Sequence, residues 1–360
     1  MQTVDARSCE DSMAKSESPT GQRSIPRLAD LAANLGVSIA TVSRALSDNP
    51  GKISARQIMR IKAAAEELGY FPNGAARSLV SRHSRAVGIV VPTLGVDLFS
   101  AGVEVLQQRL HAANYTLLLA NSLYDPNLEL REVQTFVERG VDGIVLVGEA
   151  RDAKVYELLQ RCHIPYVNTY LYRQGSRHPC IGIDNYDAMY RLARMLVDLG
   201  HRRFAVVTGP LRHNDRATDR VNGVRACLNA HDIDLPATHV LEMRNSILDG
   251  GMAFRSLLSL KKLPTAIMCT NDTLGTGLLL EARRQGVAVP TDLSVTGFDN
   301  HAISAHLDPP LTTVEVSAKD LGVRIAEYIL SRIEGRDCPE MSQLPGNLIL
   351  RESIGKAPST

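Results

Sequence analysis

Residues 28–46 read LADLAANLGVSIATVSRAL, from Leu28 to Leu46. Two short helices fit this stretch. The first runs from about Pro26, a favoured first-turn residue, to Asn34. The second runs from about Ile39 to Leu46, with Ser38 as its N-cap. Between them Leu35-Gly36-Val37 is a tight turn in which Gly36 takes a positive φ at little cost. Leu28, Leu31, Ala32, Leu35, Val37, Val42 and Leu46 close one small core. Ile39, Ala40, Thr41, Ser43 and Arg44 stay outward on the second helix, short groups plus one guanidinium. Two readings share this layout: a helix–turn–helix that lays its second helix in a DNA major groove, and an ordinary αα-hairpin.

Working outward, Ser54 caps a third helix, Ala55 to Leu68, with apolar residues at Ile58, Ile61, Ala65 and Leu68 and a stop at Gly69. Tyr70-Phe71-Pro72-Asn73 then leads into Gly74-Ala75-Ala76-Arg77-Ser78-Leu79-Val80-Ser81. The text from Leu28 to Leu79, LADLAANLGVSIATVSRALSDNPGKISARQIMRIKAAAEELGYFPNGAARSL, closely resembles the DNA-binding headpiece and hinge of LacI/GalR transcription regulators. The resemblance has no gap. It implies a helix–turn–helix head followed by two doubly wound α/β lobes of the periplasmic-binding-protein type, joined by three crossovers.

Charge agrees with such a head. Ser24 to Arg85 holds nine Lys/Arg against four acids, whereas the whole 360-residue chain nets only +1. A basic head on a mildly acidic body is the footprint of a phosphate-binding module, although chance clustering on a solvated surface gives the same count. The chain is long enough for two or three domains, and 44 % of it is apolar. No apolar run approaches the ~20 residues that span a bilayer. No hydrophobic leader precedes the head, so a cytoplasmic, nucleoid-associated protein is expected. The cysteines Cys9, Cys162, Cys180, Cys227, Cys269 and Cys338 are scattered and read as reduced thiols. No His/Cys cluster has metal spacing, His201 reads as part of a surface turn, and no cofactor is implied.

The organisation follows. Residues 1–24 read as a disordered tail, 25–71 as the head, 72–85 as a polar, basic hinge linker, and 86–360 as an effector-binding and dimerisation body. In the body, AVGIVVP (86–92), YTLLLAN (115–121), DGIVLVG (142–148) and PYVNT (165–169) read as buried parallel strands alternating with helices. FAVVTG (204–209), residues 239–243, AIMCTN (266–271) and SVTGFD (294–299) form a second such series. Carried over from the family resemblance, the crossovers are expected near residues 168–180, 299–304 and 315–318.

Ligands of doubly wound sheets bind beyond the carboxyl ends of the strands. Phe99, Tyr170, Asn214, Arg220, Asn271 and Asp299 fall there, with Arg216 and Asp215 open between pocket and rim. One aromatic face, carboxylates, amides and guanidiniums suit a polyhydroxylated or anionic small molecule: a sugar, sugar acid or related metabolite. Arg220-Val221-Asn222-Gly223 resembles the family's R-x-x-G, Asn271-Asp272 its N-D, and Gly297-Phe298-Asp299-Asn300 its G-[FY]-D-[ND]. Two departures stand out: Tyr170 occupies a position where several members carry an Asp, and the stretch from Gly209 to Arg220 is one residue longer. Asp299 and Asn271 also suit turn caps, and Asp184-Asn185 reads as a helix cap.

On the head, Ile39, Ala40 and Arg44 are expected at base edges, Arg44 being able to fork onto guanine O6 and N7. Thr41, Ser43 and Asn49 are expected at phosphates, and Arg77 through the minor groove. By resemblance, Asn73–Val80 folds as a helix only on DNA, where Leu79 wedges between base pairs; a plain flexible linker is the alternative. One head reads too few base pairs, which implies a homodimer on a pseudo-palindromic operator. Leucine heptads, by which some members form tetramers, are absent. A ligand-controlled repressor is therefore expected. An enzyme or solute receptor built on the same lobes is the rival, but Val91-Pro92-Thr93-Leu94-Gly95 lacks the G-x-G-x-x-G of a dinucleotide site, and neither a P-loop nor G-x-S-x-G occurs.

Overall fold

A computed structural model describes residues 26–46, 50–71, 83–94 and 97–359, and the chain divides into two units, residues 1–80 and 81–360. In the first unit, α1 (Leu28–Leu35), α2 (Ile39–Ala45) and α3 (Ala55–Leu68) surround Leu31, Ala32, Val42, Ala45, Ile61 and Ala65. Ser38 Oγ accepts from Thr41 N (3.1 Å) and Ser54 Oγ from Gln57 N (3.3 Å), so both expected caps form. Gly36 takes φ 66° in the turn. The first helix starts two residues later than Pro26, because Asp30 Oδ2 accepts from Arg27 N (2.7 Å) and fixes the entry there.

The second unit is built from β1 (Ala86–Val91), α4 (Asp97–Ala112), β2 (Thr116–Asn121), α5 (Pro126–Glu138), β3 (Gly143–Val147), α6 (Ala153–Arg161), β4 (Tyr166–Thr169), β5 (Cys180–Gly182), α7 (Asn185–Asp198), β6 (Phe204–Thr208), α8 (Asp215–Asn229), β7 (Val240–Glu242), α9 (Ile247–Leu258), β8 (Ala266–Cys269), α10 (Asp272–Arg284), β9 (Ser294–Thr296), β10 (Thr313–Glu315), α11 (Ala318–Ile333), β11 (Met341–Gln343) and β12 (Asn347–Ile349). Lobe A holds a parallel sheet in the order β11-β5-β4-β3-β1-β2, and lobe B one in the order β7-β6-β8-β9. The antiparallel pair β10-β12 runs beside lobe B through bridges from Thr312 to Thr296 and from Glu315 to Asp299. Val-, Ile- and Leu-rich strands buried on both faces make the cores, as parallel sheets covered by helices require.

The chain passes between lobes three times: between Gly182 and Asn185, between Glu315 and Ala318 (α11 packs on α4 and on β3–β5), and between Gln343 and Asn347. Only the expected pass at 315–318 lies where it forms. Residues 168–180 stay in lobe A because β5 extends its sheet, and 299–304 stay in lobe B because Ser304 Oγ donates to Asp272 (2.6 Å). Three further expectations change. Residues 115–121 are not a buried strand: β2 is the sheet edge and Leu119 is 41 % exposed. His201 is no surface residue; it is fully buried, its Nε2 donating to Gly355 O (3.0 Å) and its Nδ1 3.1 Å from the Thr265 hydroxyl. The last linker residues already belong to the body, since Ser84 N and Arg85 N donate to Asp142 (3.1 and 2.8 Å).

Candidate nucleic-acid interface and ligand cleft

On α2, Val42 and Ala45 point into the core, which leaves Ile39, Ala40, Ser43 and Arg44 exposed and Thr41 half-buried. Arg44 Nε donates to Ala40 O (3.3 Å), aligning its stem along the helix, and the Thr41 hydroxyl lies 2.8 Å from Ser38 Oγ. Asn49, Arg77, Leu79 and the whole hinge stretch 73–80 lie outside the described residues, as does the tail.

In the second unit a cleft of about 460 Å³, part of it open to solvent, lies between the lobes. All six residues expected at a ligand line it: Phe99, Tyr170, Asn214, Arg220, Asn271 and Asp299. They meet because each follows the carboxyl end of a strand, where the two sheets face one another. Lobe A supplies an aromatic wall: Tyr170 meets Phe99 edge-on at 4.9 Å. Lobe B supplies charge and amides. Asn214 and Asn271 cap α8 and α10, accepting from Ala217 N (3.4 Å) and Leu274 N (2.9 Å), so at Asn271 the expected cap and the cleft position hold together.

Arg220 is the most constrained group. Its Nε donates to Asn185 Oδ1 (2.8 Å), its Nη1 to Thr270 O (2.6 Å), and its Nη2 stands 3.5 Å from Asp299 Oδ1. Its guanidinium also stacks 3.5 Å from the Phe298 ring centroid. Asn185, on the other side, donates to Tyr170 O (3.0 Å) in lobe A, while Asp184 caps α7 as expected. Burial pulls the Arg220 pKa down to about 10, which leaves it charged at neutral pH. Asp299 is held at φ 105°, a strained angle for a non-glycine, with its N–H donating to Val314 O (2.8 Å). Asp299 Oδ1 has no hydrogen-bond partner among the described residues.

Burial pushes the Asp299 carboxyl up to about 6, against the pull of Arg220 and His301. The folded chain therefore holds this proton more tightly than the unfolded one. The stability it contributes is complete below about pH 4 and is lost as pH rises through about 6. Asp299→Asn should remove about 1–3 kcal/mol of that pH dependence, read as a flatter melting-temperature profile across this window. Identical profiles for the two proteins would contradict the placement.

Tyr124, Asn245, Thr270 and Arg216 also line the cleft. The sequence singled out Thr270 only as part of a strand end, left Arg216 open, and gave no sign of Tyr124 or Asn245. Tyr124 sits in a turn-like Leu-Tyr-Asp-Pro step at φ 60°, and Asn245 accepts from Asn271 Nδ2 (2.8 Å). Among the described residues no group of three or more His, Cys, Asp or Glu could hold a metal, the cysteines are free, and no helix is long and apolar enough to cross a membrane.

Residues 27–73 match the family model of bacterial regulatory proteins, lacI family, and residues 193–354 that of a periplasmic binding protein-like domain. The transcriptional regulator GntR of Escherichia coli K12 is 30 % identical over 325 residues, covering 89 % of this chain and 96 % of that protein. The chain belongs to the LacI family. Within the LacI family, the repressor CytR of E. coli K12 is 29 % identical over 340 residues, 94 % of this chain and 98 % of CytR. A LacI-family regulator from Silicibacter pomeroyi shares the fold, with a TM-score of 0.85 at 23 % identity over 92 % of this chain and 99 % of that one. This LacI-family chain is a DNA-binding transcriptional regulator, and its relatives carry regulatory rather than enzymatic names.

Proposed function

We propose that the protein is a cytoplasmic repressor without catalytic activity, which grips a pseudo-palindromic operator as a homodimer and is controlled by a small metabolite held between its lobes. The observation that carries this is the pairing of two surfaces in one chain: an exposed α2 bearing Ile39, Ala40 and Arg44, and an interlobe cleft in which Asp299 Oδ1 faces Arg220 but accepts no hydrogen bond. Ile39, Ala40 and Arg44 read base edges; Thr41, Ser43 and Asn49 hold phosphates; Arg77 and Leu79 act from the minor groove. In lobe B, α9 leaves Ile247, Leu248 and Met252 exposed and the neighbouring α10 leaves Leu280 exposed, an apolar face that suits a second copy of the chain.

Metabolite binding closes the cleft and shifts the balance between two dimer states, so it must favour one of them. A gel shift on the intergenic DNA beside the protein's own gene tests the reading. Arg44→Ala should weaken the specific shift about tenfold or more, the cost of losing a bidentate base contact, while non-specific binding changes little. Retention of the full shift by this variant would falsify the assignment of α2 to the major groove.

A further inference from the structure

We propose that Asp215 is a positioning residue that clasps the two lobes together, an assignment that rests on the two-state cleft of the preceding reading. Asp215 is the first residue of α8, just after the Asn214 cap, and its side chain is largely buried. An acid placed only to complement a helix N-terminus has its partners in its own first turn. Asp215 divides its oxygens instead. Its Oδ1 accepts from Arg216 N (2.9 Å) and lies 3.1 Å from Arg216 Nη1, all within lobe B. Its Oδ2 accepts from the backbone N–H of Glu149 and from that of Ala150 (3.0 Å), both in lobe A.

Lobe A is built to receive it. Residues 148–150 follow β3 directly, which puts the two N–H groups at the carboxyl end of that sheet. Arg151 braces the turn: its Nη2 donates to Val147 O (3.2 Å) and to Gly148 O, and its Nη1 to Glu129 Oε1 (2.6 Å). Gly148 takes φ 78°, and a Cβ there would run into Arg216 Nη1 and Asp215 Oδ1. One turn further along α8, Asp219 accepts from Arg173 Nη2 of lobe A (2.7 Å). Glu149 Oε2 stands 3.7 Å from Arg173 Nη1 and steadies it. Asp215 and Asp219 are four residues apart and share one face of the helix.

The donors facing Asp215 are main-chain groups, so no change of rotamer in lobe A can keep the contact once the lobes part. Parting frees both N–H groups and Arg173 together, and the contact is made or lost as a unit. Its bonds from N–H to carboxylate are charge-assisted. Arg216 lines the cleft, and Asp215 is what fixes its guanidinium there. The clasp thus sets the resting balance between parted and closed lobes, whichever effector the cleft takes.

Hydrogen exchange followed by mass spectrometry on the full chain, free of effector and DNA, reads the clasp at the amides of Glu149 and Ala150. Asp215→Ala should speed their exchange about tenfold or more, while the β3 amides keep their wild-type rates. Arg173→Gln removes only the half-exposed ion pair and should speed the same amides about two- to fivefold. Raising salt from about 0.05 to about 0.5 M should act on the wild type in the same direction. If Asp215 serves its own helix alone, Asp215→Ala speeds the first-turn amides of α8 and leaves Glu149 and Ala150 unchanged, which overturns the proposal. Faster exchange of the β3 amides in step with Glu149 and Ala150 also overturns it, since lobe A is then unfolding. Should Asp215→Ala misfold, Arg173→Gln and the salt series decide, and unchanged exchange in both removes the clasp. The repressor reading fails separately, when the wild type does not retain the intergenic DNA.

Discussion

Asp272→Ala is expected to lower the stability of lobe B by about 3 kcal/mol or more, read as the shift of its urea midpoint followed by circular dichroism. Asp272 is fully buried at the first turn of α10. It accepts from His301 N (2.8 Å), Ser304 Oγ (2.6 Å) and Thr313 Oγ1 (2.6 Å). Burial raises its carboxyl pKa while the Ser304 and Thr313 hydroxyls lower it. Alanine avoids the buried charge but strands three polar groups, each costing about 1–3 kcal/mol. Asp272→Asn should fall between, because an amide turns one donor toward another donor. Residues 299–304 are what Asp272 pins, so the alanine variant should also blunt ligand binding. A midpoint shift worth less than about 1 kcal/mol would mean that water replaces the carboxylate.

The second large effect is on the ligand. Arg220→Ala should weaken effector binding about 100-fold or more, because a buried charged donor is lost and its three partners are left unpaired. Without Arg220 the Asp299 carboxyl rises further and stops serving as an ionised acceptor. Arg220→Lys should not rescue, since Nε and Nη1 reach Asn185 and Thr270 in directions that only a planar fork spans. Basal DNA retention should persist in both variants, which separates loss of sensing from loss of folding. A fall of less than tenfold, by calorimetry with the best sugar or sugar acid, removes Arg220 from the ligand site.

What the sequence made legible was local or periodic. The head could be read because Ser38, Ser54 and Gly36 act within a turn of where they stand. The main strands could be read because buried parallel strands are continuous apolar runs. β5, β10, β11 and β12 are three residues each, too short to leave a pattern, and the crossovers depend on them. The polar turn around His201 reads as surface until residues 353–357 fold over it; Ala357 N donates to Leu199 O (3.0 Å) in that contact. The cleft was legible through the strand-end rule, which gave both its walls. Tyr124 and Arg216 escaped or stayed open because their place depends on two lobes meeting, and no spacing along the chain encodes that meeting.

Neither lobe is a single continuous stretch of chain. β11 completes the edge of lobe A, while β12 and the Ser353 hydroxyl, which donates to Val295 O (2.6 Å), close lobe B. Among the described residues, by contrast, the apolar core of the head is drawn from Leu28 to Tyr70. On a ribosome, then, the part that reads DNA can mature with most of the polypeptide still unmade, and the sensor is the last thing to be finished. A messenger cut short before Met341 would leave a reader with no means of hearing its signal.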